Sequence, residues 1–365
     1  MDLIPQYLVK ERAYTSDTGV IQIDLPKNEQ ISQIIVEIKA TVSNTLDVTN
    51  SILHAVTKVE VLLDGAGVAY SMTPESGSYQ ALLTAGFVPP HSLGDIESFK
   101  DTMRLPIYFG RWPGDPNYLL DTARYKNATL QIPYVLDTTD FDTTTLEVTA
   151  YYFRPMTKVN PRGFIRSRTI SEIVRSAAAG FITVDLPTGL PWRTVFFRTY
   201  DWDQHIYTDI TDVKFEVDDG RLRLFDGRTE ELYTLEKLHF GGAYDGNTLE
   251  SVAAQGGEIA TYMGAARNFA ISKAGALPDI FSTVSKLGHR VAIALATHAG
   301  AGQSIGHNFY LQPTGSAYMG GLILAHFPNE AFPAPQHSDA VIEYTVGAYA
   351  FVLETNVIEV VEGVL

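Results

Sequence analysis

An all-β chain of two tandem antiparallel β-sandwiches, with short helical excursions, is the fold class this sequence predicts. Three observations carry that expectation. The octamer "GVIQIDLP" at Gly19 to Pro26 returns as "GFITVDLP" at Gly180 to Pro187. The neighbours of the two octamers return in the same order. Short alternating apolar runs, separated by Gly and Pro turns, fill most of the 365 residues. Alternation at a period of two is what a half-buried strand requires, and each octamer closes on Asp-Leu-Pro, where Pro stops ladder hydrogen bonding.

Taken along the chain, "YLVKERAYTSDT" is strand-like and runs into polar turn residues before the first octamer, as "SEIVRSAAA" does before the second. "SQIIVEIKATV" reads as the next strand. From Val56, "VTKVEVLLDGAGVAYSMTPESGSYQALLTAGF" reads as strand, Asp64-Gly65 turn, strand, then a helix over Pro74 to Ala85. From Ile210, "ITDVKFEVDDGRLRLFDGRTEELYTLEKLHFGG" repeats that order, with an Asp219-Gly220 turn and a helix over Thr229 to His239. Asp-Gly between alternating runs is a hairpin signal, because both turn positions need positive φ. Thr73 and Thr229 read as helix N-caps, the second followed by Glu230 and Glu231.

"ATLQIPYVL" and "TLEVTAYYF" read as the closing strands of the first half. "FITVDL", "RTVFFRTY", "DVKFEV", "RLRLF", "RVAIALAT", "HNFYLQ" and "VIEYTVGAYAFVLE" read as strands of the second. "LEVTAYYF" from Leu146 matches "IEYTVGAYAF" from Ile342, and the insertions fall mostly in the second half. A repeat this long is a domain duplication, since solenoid and propeller periods are roughly 20 to 50 residues. The expected division is a first domain over 1–155, a basic linker over 156–163 and a larger second domain over 164–365. About eight strands and one helical excursion in each suit a jelly roll, so the whole is expected to be a double jelly roll.

Composition narrows the function. At 45% hydrophobic and 19% charged the chain can bury substantial cores. A net charge of −15 argues against a general nucleic-acid surface, and no sequence-specific nucleic acid is expected as a partner. With no cysteine there is no thiolate, disulfide or cysteine-ligated metal. The N-terminus lacks the pattern of a signal peptide, and no apolar run approaches the ~18 residues of a membrane span. The triplet Asn127 to Thr129 has the form of a glycosylation sequon and reads as incidental.

The segment from Arg154 to Arg175 breaks the acidic pattern, with Arg154, Lys158, Arg162, Arg166, Arg168 and Arg175 against Glu172 alone. Such a strip either pairs with the acidic domains or meets lipid headgroups or an acidic partner, for which Arg162, Arg166 and Arg168 are the candidates. "HAGAGQSIGHN" from His298 has neither the dinucleotide nor the Walker spacing and reads as a hairpin tip. No His-x-His occurs, and His298, His307, His326 and His337 are scattered, so no metal site is expected. Asp137, Asp140 and Asp142 in "DTTDFD" are weighed as a calcium loop against a solvated connection between strands. Asp201, Trp202 and Asp203 in "YDWDQH" form the best candidate glycan site, as paired carboxylates beside an aromatic ring. No Gly-x-Ser-x-Gly elbow is present, and no catalytic residue or cofactor is expected.

Two similar sandwiches without localised chemistry suit a building block. Three copies around a threefold axis would present six roughly equivalent units. The tandem pair "GVIQIDLP" and "GFITVDLP", each continued by strand, Asp-Gly turn, strand and short helix, resembles the double jelly-roll major capsid proteins of tailless icosahedral viruses with an internal membrane. The resemblance implies a homotrimeric, pseudo-hexagonal capsomer with upright sandwiches, loops of one end outside and chain termini near the base. It also implies self-association into a capsid lattice, contacts with minor capsid or vertex proteins and with the internal viral membrane, and a place in the virion shell after assembly in the host cytoplasm. No residue role is carried over. The C-terminus "ETNVIEVVEGVL" is acidic and apolar where some such proteins are basic or amphipathic, so membrane contact is expected either of Lys10, Arg12 and the basic linker or through minor proteins that mediate it. Phe240 to Ala266 and Ala299 to Gly321 are the candidate surface decorations. The alternative is a carbohydrate-binding or glycoside-hydrolysing tandem β-sandwich protein.

Overall fold

The computed structural model describes residues 2–43, 51–86, 89–91, 100–200, 206–240, 247–251, 263–264, 281–287, 290–299, 303–313 and 321–363. In chain order the first half runs β1 (Leu3–Tyr14), β2 (Thr18–Asp24), β3 (Gln30–Ile31), β4 (Gln33–Val42), α1 (Ile52–Ala55), β5 (Val59–Leu63), β6 (Gly67–Met72), α2 (Pro74–Ala85), β7 (Lys100–Tyr108), β8 (Leu120–Asp121), β9 (Ala128–Val135) and β10 (Phe141–Pro155). The second half runs β11 (Gly163–Arg175), β12 (Gly180–Asp185), β13 (Trp192–Tyr200), α3 (Ile206–Asp209), β14 (Ile210–Val217), β15 (Leu222–Arg228) and α4 (Thr229–Phe240). After α4 come β16 (Asn247–Ser251), β17 (Met263–Gly264), β18 (Phe281–Leu287), β19 (Arg290–Ala299) and β20 (Gln303–Pro313), which form a sheet of their own in the order β17-β16-β20-β19-β18. The half closes with β21 (Gly321–His326), β22 (Ala340–Val346) and β23 (Phe351–Glu362).

The duplication extends to the two main sheets of each half. Sheet β1-β10-β4-β7 has its counterpart in β11-β23-β13-β21, and β2-β9-β5-β6 in β12-β22-β14-β15. Each half therefore has two four-stranded sheets, the composition of a jelly roll. The helices repeat too, with α1 and α3 before β5 and β14, and α2 and α4 after β6 and β15. The alternation of the octamers is realised, since Ile21 and Ile23 of β2 and Ile182 and Val184 of β12 are buried while Gln22 and Thr183 are exposed. Both Asp-Gly turns adopt positive φ, at Asp64 (50°) and Gly65 (77°) and at Asp219 (51°) and Gly220 (81°).

Three expectations change. "VIEYTVGAYAFVLE" is two strands, β22 and β23, separated at residues 347–350. Because β22 pairs with β12 as β9 pairs with β2, the match of "LEVTAYYF" in β10 to "IEYTVGAYAF" is one strand out; short aromatic strands look alike, and only pairing distinguishes neighbours. Thr229 is the first residue of α4 rather than its cap. Its buried hydroxyl has no hydrogen-bond partner among the described residues, and Glu231 Oε2 accepts instead from the Arg228 N–H at 3.4 Å. β7 carries no alternation and contains Pro106, so sequence periodicity passed over it; its residues from Asp101 are buried almost without break.

The two halves share a sheet. β6 and β11 pair in parallel, Tyr70 opposite Ser167 and Ser71 opposite Arg168, so one eight-stranded sheet runs β2-β9-β5-β6-β11-β23-β13-β21. Consequently the sheet β11-β23-β13-β21 is covered on both faces. Phe196 and Ile358 join the core that includes Val36, Leu105 and Val148 of the first half, whereas Val195, Phe197 and Val357 join Phe215 and Tyr344. Strands buried on both faces lose alternation, which is why nearly all of β23 is buried.

Candidate functional site

The most heavily built polar region lies where the halves meet, around α2. Local sequence starts and stops this helix. Thr73 caps it by accepting from the Ser76 N–H at 3.3 Å, Pro74 occupies the first turn, and Gly86 ends it with φ 74°, donating to the Leu82 carbonyl at 2.9 Å. Pro74 through Leu82 are all buried, because the helix is wedged between its own β7 and the second half. Tyr79 packs on Phe196 with ring centroids 5.1 Å apart.

At the N-terminal end of α2 the charges are buried together. Arg198 of β13, 4% exposed, reaches Glu354 Oε1 of β23 at 3.2 Å and Glu75 Oε1 of α2 at 3.8 Å. Glu354 Oε2 accepts from Thr73 Oγ1 at 3.0 Å and from the Ser76 hydroxyl, so this carboxylate closes the helix terminus. Asn356 Nδ2 donates to Ser76 Oγ at 3.2 Å, and its Oδ1 accepts from Thr169 Oγ1 at 2.7 Å. His54 of α1 adds a 3.1 Å contact to Glu75 Oε1. Burial opposes ionisation of Glu75, yet Arg198, helped by His54, holds its carboxyl down to about 2. Both oxygens of Glu354 are engaged, so the cluster fastens the halves together and leaves no free base there.

His91 is a second buried polar post. Its Nδ1 accepts from the Arg104 N–H at 3.1 Å, so Nε2 carries the proton and donates to Ser78 Oγ at 2.9 Å, while the Ser78 hydroxyl donates to the Pro74 carbonyl. Burial pushes this imidazole down to about 3.

The basic strip divides. Arg166 and Arg168 lie on β11, and both clamp Glu359 of β23, which is fully buried: Arg166 Nε at 2.7 Å, Arg168 Nε at 2.9 Å and Nη2 at 3.0 Å. Arg162 is exposed just before β11, its backbone tied to Asn117 and Gly363. Lys158 donates to the Asn28 carbonyl, and Arg154 lies 4.0 Å from Glu29. Lys10 and Arg12 sit over the rings of Tyr7 and Tyr14 on β1.

Other singled-out residues serve the framework. Asp137 Oδ1 accepts from the Thr139 N–H at 2.8 Å in the turn between β9 and β10, and Asp142 Oδ1 accepts from the Thr144 N–H at 3.0 Å where β10 shifts register against β4. His337 Nδ1 lies 2.7 Å from Asp218 Oδ2, its ring stacked on Phe332, and pins the β14–β15 hairpin; His326 Nδ1 meets Thr194 Oγ1 at 2.8 Å. β19 and β20 form the hairpin read in "HAGAGQSIGHN", but its register sets His298 opposite Ser304 and His307 opposite Leu295, on different rungs. Asp201, Trp202 and Asp203 lie outside the described residues, as do parts of 240–266 and 299–321. Among the described residues no group of three or more His, Asp or Glu is arranged to hold a metal.

Glu75, Arg198, Glu354 and Glu359 were not singled out by sequence reasoning. The available signal was carboxylates inside the apolar run "FVLETNVIEVVE", which reads from sequence as an acidic terminus and is in fact a central strand.

Compared with solved structures, the chain superposes on the STIV MCP with a TM-score of 0.60 at 11% sequence identity, over 99% of this chain and 97% of that one. It superposes on the major capsid protein P2 from Bacteriophage PM2 with a TM-score of 0.51 at 9% identity, over 99% and 98%. A chain in the atomic structure of Sulfolobus Turreted Icosahedral Virus gives 0.51 at 15% identity, over 96% and 91%. No protein-family model matches the sequence, and no curated protein does. What is shared at this identity is the fold, which is a double jelly roll along nearly the whole chain.

Proposed function

We propose that this double jelly roll is a viral major capsid protein, built to associate as homotrimeric, pseudo-hexagonal capsomers of an icosahedral shell. The observation that carries the reading is the strand-for-strand duplication with a buried ionic joint at its centre: each chain holds two near-equivalent sandwiches in one fixed relation. Three such chains make six units around a closed axis, which is what a hexagonal lattice needs. The likeness in fold to major capsid proteins supports it. The role is structural, with no catalytic step and no cofactor.

Within this reading, residues 1–155 and 164–365 are the two jelly-roll domains and 156–163 connects them. The chain's partners are its own copies, then the shell's minor capsid or vertex proteins, and its place is the virion shell after assembly in the host cytoplasm. Contact with an internal membrane runs through the exposed Arg162, because Arg166 and Arg168 are occupied by Glu359.

Light scattering behind size exclusion, followed by imaging for particles, tests the reading. A trimeric mass is expected. A monomer or dimer persisting at the highest soluble concentration overturns it. For the membrane contact, Arg162→Glu is expected to weaken binding to anionic liposomes; unchanged binding removes that role.

A further inference from the structure

Among the described residues, the duplication leaves two surfaces in each chain without the cover that their counterparts receive. The outward face of β11-β23-β13-β21 is covered by α2, and the edge of β11 pairs with β6. Among the described residues the counterpart sheet β1-β10-β4-β7 has no helix on its outward face, where Tyr7 is 57% exposed beside Tyr151. The counterpart helix α4 is likewise open, with Glu230, Glu231, Thr234 and Leu235 exposed and Leu235 at 56%. Among the described residues no strand pairs with the outer edge of β1 or of β15, and a twelve-residue edge such as β1 invites pairing.

The charges of the internal joint recur on these open surfaces. Arg198 is the seventh residue of β13 and stands opposite Glu354 of β23. Lys39 is the seventh residue of β4 and stands opposite Glu147 of β10, the strand equivalent to β23. Glu75, which meets Arg198, is the second residue of α2, and Glu230 is the second residue of α4. On the sheet face Lys39 and Arg104 both lie 2.6 Å from Glu37 and Lys100 lies 3.9 Å from Glu147, so these three cations outnumber their two acids and leave a net positive charge to face the two acids that begin α4.

We infer that the joint inside the chain is repeated between chains: α4 of one copy docks on the outward face of β1-β10-β4-β7 of the next, with Glu230 against the Lys39–Glu147 rung and β15 alongside β1. This rests on the trimeric reading above and assigns its interface. The contact is head to tail, so it leaves no open surface only when the ring closes. Leu235 and the Tyr7–Tyr151 pair supply apolar area, and the acid-on-base rung sets the register, as Glu75 and Arg198 do within the chain.

The chain has no cysteine of its own, which makes the test clean. The full chain carrying both Lys39→Cys and Glu230→Cys is treated with a short bismaleimide and run under denaturing conditions, with each single variant as control and all masses checked by light scattering. Both positions are at least partly exposed, so folding should be preserved. Covalent dimers and trimers, and nothing larger, are expected from the double variant alone. A trimeric mass without cross-linking overturns this docking and leaves the trimer standing. Cross-linked dimers from a single variant overturn it in favour of a two-fold contact. A monomeric mass overturns docking and trimer together. Independently, Glu230→Lys is expected to weaken trimerisation by roughly tenfold or more, with recovery on adding Lys39→Glu.

Discussion

Replacing Arg198 by Met should be among the most damaging single changes in the chain, because it strands two buried carboxylates. Glu75 is 6% exposed and Glu354 3%. Glu75 sits at about 2 against an ordinary 4.5, which at about 1.4 kcal/mol per pH unit corresponds to roughly 3 kcal/mol of preferential stabilisation of the charged form. Glu354 loses in addition its 3.2 Å ion pair, and breaking a buried pair from one side typically costs about 3 to 5 kcal/mol. The expected loss for Arg198→Met is therefore about 3 to 5 kcal/mol, read from urea midpoints by fluorescence and circular dichroism. Glu75 sets its pH dependence. A carboxyl depressed in the folded state stabilises above its unfolded value and loses that contribution as pH falls from 4.5 towards 2, so the gap between wild type and variant should narrow over that range. Adding Glu75→Gln and Glu354→Gln should recover most of the loss. A variant within about 1 kcal/mol of wild type, or one equally damaged in the neutralised background, would refute the buried-charge argument.

His91 should make the fold acid-sensitive in a second window. Its folded value is depressed, so its neutral-state contribution is complete above 6.5 and fades towards 3, at up to about 1.4 kcal/mol per pH unit; His91→Gln should flatten that slope, and an unchanged slope would exclude the group. Gly163→Ala should cost about 3 kcal/mol, because the added carbon would lie 1.7 Å from the Val361 carbonyl oxygen where β11 meets β23; a wild-type melting temperature would contradict the register. Glu359→Gln should cost about 1 to 3 kcal/mol by leaving Arg166 and Arg168 without their anion, and wild-type stability would show that the clamp is idle.

Much of the fold was legible locally. The octamers, the two Asp-Gly turns, and the helices after each hairpin are set by side-chain alternation, positive φ and helix-former content within a few residues of each other, and each lies where sequence pattern put it. The order of elements alone was enough to reveal the duplication. Legibility failed where burial is two-sided: β7 and β23 carry no alternation, so one was missed and the other was read as a terminal tail. It failed again for Thr229, where direct continuation from β15 leaves no room for a cap.

The candidate site was not legible, since its parts are far apart in the chain. Glu75, Arg198 and Glu354 are unremarkable singly, as a helix-start acid, a strand cation and a carboxylate in an apolar run. Arg166 and Arg168 look like a free basic strip until Glu359 is brought beneath them. Local chemistry thus decides which segments are strands, turns and helices and that the set occurs twice. Packing decides that the two sets share one sheet, that α2 is enclosed while α4 is open, and which charges are buried together, because desolvation and pairing act only once distant strands lie side by side.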